Sequence, residues 1–160
     1  MAKILMAFLI SVFVLSNQAF AHCQIPCGIY GDELRFDLIK EHLATVEKAM
    51  QQINTLPDQS PVNYNQIIRW TMAKEDHTAK IDEIITQYFL TQRIKLNVAG
   101  DTSEKEKYLR SLTLLHEMLV YSMKSKQTTD VSNIAKLREL TDAFYLVYFG
   151  ADHKRHEHKE

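Results

Sequence analysis

Four stretches of this chain repeat apolar residues at alternating spacings of three and four, and that period leaves few architectures open. Over residues 32–54 the stripe is Ile39, Leu43, Val46, Met50 and Ile53. Over residues 64–94 it is Ile67, Ile68, Met72, Ile81, Ile84, Ile85, Tyr88 and Phe89. A third stretch begins near Thr102 or Ser103, where Ser103 and Glu106 have the spacing of a capping box, and carries Leu109, Leu112, Leu115, Met118, Leu119 and Met123. The fourth follows the cap sequence Thr128-Thr129-Asp130 with Ile134, Leu137, Leu140, Phe144, Val147 and Tyr148, up to Gly150. Each stripe is one buried face of a helix. Leu56-Pro57-Asp58-Gln59-Ser60-Pro61 and Ala99-Gly100-Asp101 break the pattern, because proline and glycine disfavour helix continuation. No stretch alternates with period two. The expectation is an all-α, antiparallel up-down four-helix bundle over residues 31–150, with Phe36 and Trp70 as exposed apolar residues outside the stripes.

The chain begins differently. Lys3 precedes an apolar run, ILMAFLISVFVL, that is short for a bilayer span, and Ala19-Phe20-Ala21 then gives the small-x-small pattern of a signal-peptidase site. Residues 1–21 read as a cleaved secretory signal, so the working protein would begin at His22 and be exported, to a periplasm or the cell exterior. No later run is apolar and long enough to span a membrane. The whole chain holds 19 Lys+Arg and 20 Asp+Glu, and loss of the signal removes one lysine and no acid. That balance gives no reason to expect nucleic acid or an anionic membrane as partner. Residues 22–160 suffice for one domain with one core.

Both cysteines lie just past the cleavage site, in His22-Cys23-Gln24-Ile25-Pro26-Cys27-Gly28-Ile29-Tyr30. Pro26 disfavours helix, and Gly28 permits a tight return that lets the arm at residues 22–30 fold back on itself. Cleavage would add an α-amine to the His22 ring, the Cys23 amide and two sulfurs, a compact ligand set. A disulfide and a thiol redox site fit the two cysteines too. The loop is short for a stabilising bridge, and the spacing is not Cys-x-x-Cys.

The arm resembles the nickel-binding hook of the nickel superoxide dismutase family, H-C-x-x-P-C-G-x-Y, and the helical pattern is similar to that family's bundle. The resemblance implies a superoxide dismutase that turns superoxide into dioxygen and hydrogen peroxide by Ni(II)/Ni(III) cycling. It implies one nickel ion per subunit, held by the His22 amine and imidazole, the Cys23 amide and the thiolates of Cys23 and Cys27. Thiolates and a deprotonated amide are strong donors that stabilise the higher oxidation state. Tyr30 resembles the family's hook tyrosine, and Tyr88 its second tyrosine near the open face of the metal. Asp37 falls nearest the family's glutamate that orients the imidazole, and His77 falls where the family has an arginine. The family's subunits assemble into hexamers, so a homohexamer is expected.

Simpler roles stand beside several of these. Tyr88 on a helix stripe also suits the core, and His77, among Lys74, Glu75, Asp76 and Lys80, also suits a solvated face. His42 and His116 lack ligand-like neighbours at helical spacing and read as surface or structural residues. The tail at residues 151–160 carries His153, His156 and His158 and suits weak metal binding or a solvated terminus. An exported nickel or copper carrier without turnover would use the same hook and tail. A disulfide-bonded bundle with an interaction role would need neither metal nor free thiols.

Overall fold

The structure, a computed structural model, describes residues 31–97 and 101–153. Four helices fill them: α1 (Asp32–Thr55), α2 (Tyr64–Glu83, continuing through Ile84–Arg93), α3 (Thr102–Gln127) and α4 (Ser132–Phe149). A 3₁₀ turn at Leu56–Asp58 follows α1. α1 packs mainly on α2 and α3 mainly on α4, while α1 against α4 and α2 against α3 close the ring. This is the expected all-α four-helix bundle. Among the described residues no helix is long and apolar enough to cross a membrane.

The core follows the sequence stripes on α1 and α4, where Ile39, Leu43, Val46, Met50, Ile134, Leu137, Leu140 and Phe144 are all buried. Four expectations need correction. Phe36 is not an exposed contact residue: it is 1% exposed and packs on Phe89, Phe144 and Tyr145 with ring centroids 5.0, 5.4 and 5.1 Å away. It lies three residues before Ile39 and so belongs to that stripe. Ile68 and Met72, assigned to the core face of α2, are 60% and 66% exposed, and Leu109 and Met123 on α3 are exposed as well. Leu114, absent from the expected α3 stripe, is buried. The capping-box reading at Ser103 is replaced by Asp101, whose Oδ1 accepts from the Glu104 backbone N–H at 2.9 Å. An Asp one residue outside the first turn satisfies an orphan donor and complements the helix dipole.

The α2–α3 seam is polar. Lys74, buried, donates to the carbonyls of Ser125 at 3.0 Å and Lys126 at 2.5 Å, so a side chain of α2 satisfies the unpaired carbonyls ending α3. About two turns further along α2, Lys126 Nζ meets Asp82 Oδ2 at 2.7 Å, and Ser122 donates to Asp82 Oδ1. These bonds replace the hydrophobic contacts that Ser122 and Ser125 cannot supply.

From Ile84 to Arg93 the second helix widens into a π-helix. Its last backbone bond runs from Ile94 N–H to Phe89 carbonyl at 2.9 Å, a five-residue step. A π-turn places residues five apart above one another, where an α-turn would rotate them apart. Tyr88 and Arg93 are such a pair, and the widened turn is what brings them together.

Candidate active site

The sequence arm enters the bundle at Gly31, so the end of the bundle that matters holds the start of α1, the end of α2, the start of α3 and the end of α4. Asp32 is its hub. Its Oδ1 accepts from Tyr88 OH at 2.5 Å and faces Arg93 Nε at 2.8 Å, while its Oδ2 accepts from Tyr148 OH at 2.8 Å. Arg93 Nη2 also donates to Tyr88 OH at 2.8 Å, and the guanidinium lies 4.8 Å from the Tyr88 ring centre. Beside this group His153 Nε2 meets Glu33 Oε1 at 2.7 Å, and its ring stacks on Phe149 at 4.2 Å. Two helices, α2 and α4, and His153 just beyond α4 are thereby tied to the first residues of α1.

The electrostatics follow from this arrangement. Burial, and then the bond to Asp32, push the phenols of Tyr88 and Tyr148 above the ordinary tyrosine value. The bond to Tyr88 holds Arg93 more firmly protonated. Both phenols therefore stay neutral and the guanidinium stays charged at physiological pH. Next to Arg93 and Tyr148 opens a cleft of about 310 Å³, also lined by Lys95, Lys107 and Glu104.

A stability consequence can be measured. Folding raises both phenol values, so the neutral-phenol contribution is complete below the unfolded tyrosine value, about 10, and is lost as pH rises beyond it. Alkaline titration followed by phenolate absorbance should show two tyrosines ionising later than the rest, together with unfolding. Coincident titration of all the tyrosines with the fold intact would contradict the arrangement.

The expected site residues fall in different places. His22, Cys23, Cys27 and Tyr30 lie outside the described residues. Tyr88 has its ring in the core, as its stripe position implies, and its hydroxyl in the Asp32 group. Asp37 sits on α1, partly buried, less than two turns beyond Asp32. His77 is not on a freely solvated face. Its Nδ1 lies 3.1 Å from His42 Nδ1, eleven residues before Tyr88 and so about 16 Å along the helix from it. His42 likewise has a histidine neighbour, across the helix contact rather than at helical spacing. Asp32, Arg93 and Tyr148 were not among the expected site residues. No sequence signal joins residues 116 positions apart, and only the five-residue step from Tyr88 to Arg93 was there to be found.

Among the described residues no group of three or more His, Cys, Asp or Glu side chains converges to hold a metal. Comparison with family models gives one described as nickel-containing superoxide dismutase, matching residues 17–152. Comparisons with curated proteins and with solved structures find no match. The matched span takes in both cysteines, the Ile25-Pro26-Cys27-Gly28 arm and all four helices. The chain belongs to the nickel-containing superoxide dismutase family, and it is a nickel-dependent oxidoreductase acting on superoxide.

Proposed function

We propose that the enzyme works from an N-terminal hook freed by cleavage after Ala21, with His22, Cys23 and Cys27 as the ligands of one nickel ion per subunit. The donor set would fit that metal: two thiolates and a deprotonated amide are strong donors that would stabilise the higher oxidation state, and the His22 amine and imidazole would complete the ligands. When bound, nickel supplies the one-electron redox couple that dismutation needs. The observation that carries the reading is the family match across the arm and the bundle together.

The residues divide the remaining work. Cys23 and Cys27 must give up their protons to act as ligands, so loading improves as pH rises through the thiol range. The His22 amine exists only once residues 1–21 are gone. Tyr30 ends the hook motif and Asp32 lies two positions later, so the Asp32 group stands at the base of the hook. Tyr88 has its proton committed to Asp32 and accepts from Arg93. It serves there to order and restrict the approach rather than as an acid. Arg93 is ion-paired with Asp32, and Lys95 and Lys107 beside it in the cleft supply the positive charge that attracts a small anion. Asp37 is assigned to orient the His22 ring, a role commonly filled by a carboxylate. For His77 the same role rests on the resemblance alone, since its ring is engaged with His42.

Export and assembly belong to the same proposal. The signal pattern of residues 1–21 supports export, to a periplasm or the cell exterior. Tyr64, Ile68 and Met72 form an outward apolar row at four-residue steps on α2, which suits burial between subunits of a homohexamer. The test is electron paramagnetic resonance on the mature protein, with its N-terminus sequenced and its mass measured by light scattering. A rhombic Ni(III) signal with nitrogen hyperfine splitting in an active hexamer starting at His22 is expected. Nickel-free, disulfide-linked protein after loading under reducing conditions would sink the hook assignment.

A further inference from the structure

His42 on α1 and His77 on α2 face each other across the helix contact with their Nδ1 atoms 3.1 Å apart and their rings at 78°. Two imidazole lone pairs repel at that separation unless a proton or a cation lies between them. Imidazole nitrogens bind nickel, copper or zinc at about 2.0–2.1 Å. Two such bonds spanning 3.1 Å subtend about 98° at the ion, between the square-planar and tetrahedral angles. The nitrogens therefore already stand at the bite distance of a single metal ion.

We propose that His42 and His77 form a second metal site, a two-imidazole clamp for a divalent ion of the nickel, copper and zinc group, with water in its remaining positions. Both residues are half-buried, so the rings are held by packing while water and ions reach them. Burial, then His77, then Lys80 keep His42 below the ordinary imidazole range, which leaves a lone pair available at neutral pH. The carboxylates of Glu41 and Asp76 act on the same ring and offset an incoming positive charge. Lys80, the adverse cation, is held by Asp76 at 2.6 Å. Pre-organisation on two packed helices separates this pair from the histidines of the tail. The site draws on none of the hook residues.

Zinc titration of the nickel-loaded full chain, followed by imidazole nitrogen NMR, tests the proposal. The hook is then already filled, and zinc is diamagnetic. The Nδ1 resonances of His42 and His77 should shift together and saturate at one equivalent, and His42→Gln or His77→Gln should weaken that binding about tenfold or more. Melting curves of both variants check that they fold, and the wild-type resonances decide the matter if they do not. Unmoved resonances, or a zinc affinity unchanged in folded variants, would overturn the clamp and leave a simple N–H···N hydrogen bond. Neither result bears on nickel at the hook, which is read separately by the dismutation assay.

Discussion

A Cys23→Ser, Cys27→Ser double variant should bind no nickel and lose dismutation by more than about 100-fold, the upper range for removing a supporting group around a metal. Serine keeps the size and removes the thiolate, and an alkoxide is not available at neutral pH to replace it. The helical circular dichroism should not change, because among the described residues every buried side chain of the core lies between Phe36 and Phe144. Retaining Ala21 ahead of His22 should have the same effect by another route, since the amine becomes an amide. Nickel content by elemental analysis and activity on the same preparation check both. A variant that keeps its nickel and its rate would remove the hook from the mechanism.

The second large effect is on stability. Phe36→Ala should destabilise the bundle by about 3–5 kcal/mol, the range for emptying a buried aromatic site. A domain of this kind has only about 5–15 kcal/mol in all. Phe36 touches rings of both α2 and α4, so the cavity would not close by the shift of one neighbour. Phe36→Leu should cost less, since more of the volume stays filled. Urea unfolding at equilibrium measures the difference. Because Tyr88 and Tyr148 pack in the same cluster, the alanine variant should also lose activity before it unfolds. A loss under about 1 kcal/mol would fit a site that water or neighbours refill, against the burial seen here.

Helix periodicity was readable because burial of one face imposes it locally: the stripes of α1 and α4 are the stripes of the core. It misled on α2 and α3. Ile68, Met72, Leu109 and Met123 keep the helical spacing but turn outward, because apolar identity does not say which side a neighbour occupies. The buried face of α3 includes Ser111, Ser122 and Ser125 instead, and small polar residues carry no hydrophobic signal. The cap at Asp101 rather than Ser103 is a two-residue difference between equally good cap residues.

The sequence by itself determined the all-α class and the four helices with their breaks, and it carries the motif on which the hook proposal rests, for one reason. A helix face and a chelating arm are both local, so residues within a few positions define them. Tertiary structure alone decided that Asp32 joins Tyr88, Arg93 and Tyr148, that His42 meets His77, and that Lys74 ends α3. Those partners are drawn together by packing and by the π-turn of Ile84–Arg93, and the backbone path that does so is set by the whole core rather than by any short stretch of residues.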